Sequence, residues 1–313
     1  MSAIRAGRIL AGFFVLTVPL MPLQALFVRV SPKLARTFPN WYHRQVCRLL
    51  GIRLSIDGSL AADDPVLIIS NHTSWLDIPV ISAVAPVSFV AKKEVGHWPF
   101  VASLARLQRT VFVDRERRTA AGETAREIAG RLAMGDKLVL FAEGTSSDGN
   151  RVLPFRTSLF AAAKPSRANT AEAIPQATAE QPAPGGSRLP VTHLPVTQVQ
   201  TLTICYTHLH GVPIARADRP LVGWYGDMEM GSHAWQLLKA GPLDVKISVG
   251  PPVPLADFKD RKELARHSET EIRSELVRIL RGRGPAEPIE LAEIPQEKVS
   301  LPVKQSGDTR NFV

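Results

Sequence analysis

Cysteine is scarce in this chain. Cys47 and Cys205 are the only two among 313 residues. Two isolated thiols build neither a disulfide framework nor a zinc site, and they fit a reducing, cytoplasmic setting. Aromatic residues make up 6%, and no RNA- or DNA-binding signature accompanies them, which argues against a nucleic-acid partner. The string Gly-x-Ser-x-Gly is absent, so the nucleophile elbow of an ordinary serine hydrolase is excluded. No internal repeat is present, which removes solenoids and propellers.

One further absence is local. From Ile9 to Val28 the sequence ILAGFFVLTVPLMPLQALFV holds no charge and a single glutamine. A helix of roughly 20 apolar residues can span the hydrocarbon layer of a membrane. Arg5 and Arg8 precede the run, and Arg29, Lys33 and Arg36 follow it. A cleaved signal peptide is the alternative, but the run is long for one and no small-x-small cleavage site follows. Pro19 and Pro22 each remove a helical hydrogen bond. A kinked or re-entrant helix pair dipping into one leaflet is therefore as consistent as a full crossing. Cations on both flanks choose no orientation. Residues 1–40 are expected to anchor the protein at a membrane.

What the chain does have is apolar bulk and positive charge. Apolar residues are 45% of the total, enough for a real core, and the net charge is +9 with a pI of about 9.9. That balance suits an anionic partner such as a membrane surface or an acidic protein. Trp41 to Leu50 reads as an amphipathic helix. RLSID, VLIIS, VSFVA (87–91), TVFVD (110–114), KLVLFAE (137–143), VQTLTICYT (199–207) and LDVKISVG (243–250) read as strands. Helical patterns alternate with them: WPFVASLARLQ, 119–136, SHAWQLLKAG and 257–282. This alternation predicts an α/β fold with a mostly parallel sheet flanked by helices, behind an N-terminal membrane-anchoring helical segment. The catalytic domain is expected over 41–283. Within it, 164–198 is rich in proline and small polar residues and reads as a flexible insertion. Residues 284–313 read as a loose tail.

Polar clusters stand at three strand exits. NHTSWLD (71–77) follows VLIIS and places His72 and Asp77 five residues apart. A carboxylate that accepts the proton of one imidazole nitrogen fixes the tautomer and leaves the other nitrogen as a base. Such a base suits attack by a hydroxyl on an activated acyl group. Taken alone, the spacing serves a helix cap equally well. VFVDRER places Arg115 after a second strand, where it could also pair with Asp114 or Glu116. FAEGTSSDGN places Glu143, Gly144 and Thr145 after a third. Three such sites would meet on one edge of a parallel sheet. His208 and His210 could lie on one face of a strand as metal ligands do, but no carboxylate or cysteine cluster joins them, so no metal is expected.

NHTSWLD, VFVDR and FAEGTSS, with a weaker match in TICYT, occur in this order over roughly residues 65–210. In that combination the chain resembles the glycerolipid acyltransferase family, whose membrane members acylate lysophosphatidate and similar lysolipids. The resemblance implies that His72 is the general base and Asp77 its orienting partner, within a block whose Asn71 and Ser74 are expected to bind substrate. It implies that Arg115 binds an anionic part of the acceptor, and that Glu143, Gly144 and Thr145 belong to the acceptor pocket. It implies direct attack by a lysolipid hydroxyl on a fatty acyl thioester of acyl carrier protein or coenzyme A, with no cofactor. The family's usual third block reads F-P-E-G-T-R-S. Here Ala142 replaces the proline and Ser146 the arginine, and a serine cannot replace a guanidinium that grips phosphate. FAEGTSSDGNRVLPFRTSLFAAA and WYGDM (224–228) are similar to the lyso-ornithine lipid acyltransferase branch, whose acceptor carries no phosphate. The expectation is therefore acylation of lyso-ornithine lipid at the cytoplasmic face of a bacterial-type inner membrane. Lysophosphatidate remains as the alternative acceptor, with Arg151 or Arg156 supplying the missing charge. An inactive lipid-binding scaffold is the alternative of a different class.

Overall fold

The computed structural model describes residues 2–62, 65–113, 120–162 and 197–282. Arg115, most of the expected insertion and the expected tail lie outside the described residues. Two antiparallel helices open the chain: α1 (Ala3–Val30) and α2 (Pro32–Leu50). Ser31 separates them in an extended conformation (φ −150°); its side chain accepts from the Leu34 amide, and Pro32 opens α2. Proline is tolerated there because the first helical amides have no partner in any case. Gly51 ends α2 at φ 75°, a left-handed position that suits glycine. The boundary expected at residue 40 thus falls inside α2, which runs unbroken from the anchor into the domain.

The strands are β1 (Ile52–Asp57), β2 (Val66–Ser70), β3 (Ser88–Lys92), β4 (Val111–Val113), β5 (Lys137–Phe141), β6 (Gln198–Leu209), β7 (Val212–Pro213), β8 (Leu243–Val249) and β9 (Val253–Pro254). They form one sheet in the order β1-β8-β6-β2-β5-β3-β4, with β7 and β9 pairing to β6. β2 to β6 are mutually parallel. β8 runs antiparallel to β6, and β1 parallel to β8. The expectation of a mostly parallel sheet flanked by helices holds, with a reversed pair at one side.

Helices α3 (Asp77–Val84), α4 (Val101–Leu107), α5 (Ala120–Ala133), α6 (Met230–Ala240) and α7 (Arg261–Leu280) complete the fold. β2 is buried at all five positions, and its side chains alternate between two cores. Val66 and Ile68 join Leu76, Val80 and Ile81 of the α3 region and Leu237 of α6. Leu67 and Ile69 join Ile128 and Leu132 of α5 and Leu264, Ile272 and Leu276 of α7. Each such side chain contributes roughly 1.5–3 kcal/mol by burial. α2 is tied to the C-terminal turn of α3 by polar contacts. Asn40 donates to the Ser82 carbonyl at 2.7 Å, Arg44 to the Ala83 carbonyl at 2.9 Å, and His43 meets the Ser82 hydroxyl at 2.9 Å.

α1 is long and apolar enough to cross a membrane, yet it lies along the domain. Near one end, Arg5 donates to the carbonyls of Leu50 and Leu238. Near the other, Gln24 donates to the carbonyls of Ala35 (3.1 Å) and Leu107 (2.9 Å). Between them, the Thr17 and Tyr42 hydroxyls are bonded at 2.7 Å, and Phe13 and Phe14 meet the Phe100 ring. The opposite face leaves Ile4, Val15, Val18, Leu26 and Val30 exposed.

Candidate active site

The chain leaves β2 at Ser70 and turns through residues 71–76 into α3, whose first residue is Asp77. A carboxylate in the first turn is favoured by the positive end of the helix. Asp77 is fully buried. Its Oδ2 accepts from His72 Nδ1 at 2.7 Å, from the Thr73 amide at 2.7 Å and from the Ser74 amide at 3.0 Å. Its Oδ1 accepts from the Tyr206 hydroxyl at 2.7 Å. Four donors thus fix a carboxylate whose direction is set before the imidazole meets it. Burial, reinforced by the Asp77 charge, pushes the Tyr206 hydroxyl well above its ordinary value, so the phenol stays a donor.

The His72 side chain is 18% exposed, and its ring stacks on Phe141 with centroids 4.1 Å apart. Nδ1 is engaged by Asp77. No hydrogen bond from the described residues occupies Nε2, which is left as the basic nitrogen. The backbone of His72 is held as firmly as its ring. Its amide donates to Glu143 Oε1 at 2.8 Å, and its carbonyl accepts from the Ser147 amide (2.8 Å) and hydroxyl (3.2 Å).

Glu143 is 1% exposed, and its second oxygen accepts from the Leu153 amide at 2.7 Å. It braces the His72 segment against the loop after β5, which is a different task from lining an open acceptor pocket. Burial pushes its carboxyl up to about 8, against the two amides that pull it down. Gly144 makes the turn after it at φ 74°, Thr145 is exposed, and the Ser146 hydroxyl donates to the Trp224 carbonyl. The Trp224 amide donates to the Thr73 carbonyl at 2.9 Å, so the WYGDM stretch is stitched to both polar loops. The Trp224 ring meets Trp98 edge-on at 5.8 Å.

The other expected site residues divide. Asn71 is buried; it donates to the Ile204 carbonyl (3.0 Å) and accepts from the Ile204 amide (2.9 Å), clamping the exit of β2 to β6. Ser74 is fully buried and serves Asp77 through its amide. Trp75 donates to His233 at 3.1 Å. Arg115 lies outside the described residues. Tyr206 and Ser147 were not singled out in the sequence: Tyr206 sits in the TICYT strand and Ser147 is the last residue of FAEGTSS. Cys205 is pushed up to about 12 by burial, so it is no thiolate nucleophile. His208 bonds to Thr207 (2.9 Å) and His210 to the Ala240 carbonyl. Among the described residues, no three His, Cys, Asp or Glu gather to hold a metal ion.

The sequence profile described as Acyltransferase matches residues 51–177, which contain this whole constellation up to the loop after β5. A lyso-ornithine lipid O-acyltransferase of Brucella abortus is 44% identical over 282 residues, covering 90% of this chain and 97% of that protein. The chain belongs to the acyltransferase family. This acyltransferase is also 42% identical to a lyso-ornithine lipid O-acyltransferase of Rhizobium meliloti, over 84% of its own length and 83% of the relative's. Its fold is that of the crystal structure of a 1-acyl-sn-glycerophosphate acyltransferase from Thermotoga maritima. That match has a TM-score of 0.60 at 20% identity and covers 91% of this chain and 96% of the other.

Proposed function

We propose that this acyltransferase moves a fatty acyl group from an acyl thioester to the free hydroxyl of lyso-ornithine lipid, giving ornithine lipid. His72 Nε2 takes the proton of the acceptor hydroxyl as that oxygen attacks the thioester carbonyl. The new ester C–O bond forms, the C–S bond breaks, and the proton passes from the imidazolium to the leaving thiolate. Asp77 steadies the imidazolium between these two moments. A positioned base of this kind contributes roughly 10²–10⁴-fold. No acyl-enzyme is needed. The observation that carries the proposal is the His72 Nδ1–Asp77 Oδ2 contact of 2.7 Å with Asp77 locked by three further donors.

The acceptor rests on two supports. Relatives at 44% and 42% identity bear that activity in their names. Ser146, at the place of the family's phosphate-gripping arginine, spends its hydroxyl on Trp224. Purified enzyme in vesicles, given a labelled acyl donor, is offered lyso-ornithine lipid and lysophosphatidate side by side. The expected result is ornithine lipid as the main product, with lysophosphatidate at least about tenfold slower, the discrimination expected where a charged group finds no partner. Faster turnover of lysophosphatidate would transfer the assignment to the alternative.

The donor is proposed to be acyl carrier protein or coenzyme A, both acidic, drawn by the net charge of +9. Such donors are made in the cytoplasm, which supports a site on the cytoplasmic face of an inner membrane. The packing of α1 supports a helix pair lying in one leaflet. Arg5 and Gln24, about 28 Å apart along a helix, both bond to the same domain, whereas a crossing helix would carry them to opposite sides. Pro19 and Pro22 lie inside α1. They leave the carbonyls of Val15 and Val18 without their helical donors, which costs less near headgroups than in the hydrocarbon midplane.

A further inference from the structure

A second cleft opens at the other end of the sheet. It has a volume of about 530 Å³ and lies between the first turns of α2, the segment before β3, residues 108–109 and the approach to β5. His72 follows the C-terminal end of β2, while this cleft sits where β3 and β5 begin, so it lies apart from the His72 site. Its walls are cationic: Lys33, Arg36, Arg109 and Lys137 line it, with Asp136 as the acidic residue among them.

Among the described residues that line the cleft, cations outnumber acids. The Asp136 side chain is 2% exposed; it forms an ion pair with Arg36 at 2.6 Å and accepts from Arg109 at 2.8 Å and from Arg131. Three guanidinium groups share one carboxylate; Lys33 stands beside them, and the Lys137 ammonium donates to the carbonyls of Ala61 and Ala62. Desolvation pulls the Arg109 guanidinium below its ordinary value, with Arg131 and Arg36 adding to it. Burial is the larger cause, and Asp136 works against it. Arg109 is also held at φ 61°, a left-handed conformation that a non-glycine residue keeps only when its surroundings compel it. The mouth of the cleft adjoins the elbow between α1 and α2, where Val28, Val30 and Leu34 are exposed.

We propose that this cleft binds the phosphate headgroup of an anionic phospholipid in the membrane on which the helix pair lies. The guanidiniums supply the planar donors that fit phosphate oxygens, and the exposed valines and leucine at the elbow would meet the lipid's chains. The lipid is not a substrate here; it fixes the angle at which the enzyme sits, with the opposite sheet edge turned to its acceptor. This rests on membrane attachment through α1 and α2, and not on the identity of the acyl acceptor.

The test uses the full chain and two readouts. In vesicle flotation, phosphatidylcholine alone is compared with phosphatidylcholine containing about 30% phosphatidylglycerol. Roughly tenfold tighter binding to the second is expected from several basic groups near the surface. Lys33→Gln with Arg36→Gln should lose most of that gain while keeping its binding to phosphatidylcholine and its activity in detergent. The charge-matched pair Arg261→Gln and Lys262→Gln, at the exposed start of α7, should keep the gain. Equal loss in both double variants would show diffuse attraction and overturn the site. The second readout is the side-chain Nε resonance of Arg109 during titration with short-chain phosphatidylglycerol below its micelle concentration. A saturable shift that inorganic phosphate does not reproduce at equal concentration supports a lipid headgroup. No shift, or an equal shift with inorganic phosphate, overturns it. The single variant Lys33→Gln, which leaves the Asp136 pairs in place, repeats both readouts should the double variant unfold.

Discussion

An imidazole exchanges its proton freely between two nitrogens, and a base needs one of them kept free. Here the reservation is made by Asp77, and Asp77 is in turn held by Tyr206, which reaches it from β6 at 2.7 Å. A hydrogen bond to a charged group is worth about 1.5–3 kcal/mol. Tyr206→Phe should therefore lower kcat by about tenfold while KM for the acceptor changes little; an unchanged kcat would remove Tyr206 from the positioning chain. Glu143 gives a prediction of opposite kind, in stability. Burial raises its carboxyl from the ordinary 4.5 to about 8, so over that interval the folded protein keeps a proton that the unfolded chain has lost. The stability this contributes is complete below 4.5 and disappears as pH rises to about 8. Melting temperature across this range should fall more steeply for the wild type than for Glu143→Gln, and a wild type that instead gains on the variant would refute the buried acid. The His72–Asp77 pair was legible in the sequence because both groups lie within one seven-residue turn. Tyr206 was not, because a contact across 129 residues leaves no local spacing to read.

Secondary structure was readable wherever hydrophobic pattern alone decides it. VLIIS, KLVLF and LDVKISV became β2, β5 and β8, since short β-branched runs between turn residues have few alternatives. The reversed direction of β8 and β1 was hidden, because direction depends on which strand a chain returns to and not on its composition. The course of α1 was also hidden: an apolar helix carries the same signature whether it leaves the domain or lies along it. What settles its course are single side chains such as Arg5 and Gln24. Residues 98–100 reach both ways along the molecule. Phe100 meets Phe13 and Phe14 of α1, while Trp98 meets Trp224 beside the His72 loop. This short segment links α1 to the site. Phe100→Ala should loosen the link, lowering turnover of a vesicle-borne acceptor several-fold while sparing a short-chain soluble acceptor. Equal losses on both would mean that Phe100 supports the fold alone.

Taken whole, the molecule has a direction. The polar loops after β2 and β5 gather at one sheet edge, the basic cleft lies at the other, and the α1–α2 pair runs between the two ends. The proposed attachment and the proposed chemistry thus reside in different residues, and they can be separated by experiment. His72→Ala leaves α1, α2 and the basic surface untouched. The decisive measurement is the rate at which this variant transfers a labelled acyl group from its thioester to lyso-ornithine lipid in vesicles, alongside its vesicle binding and melting temperature. The account predicts at least about a hundredfold loss of turnover, the low end for a positioned base, with binding and melting temperature near those of the wild type. Turnover that survives the loss of the imidazole in a folded, membrane-bound variant would contradict it.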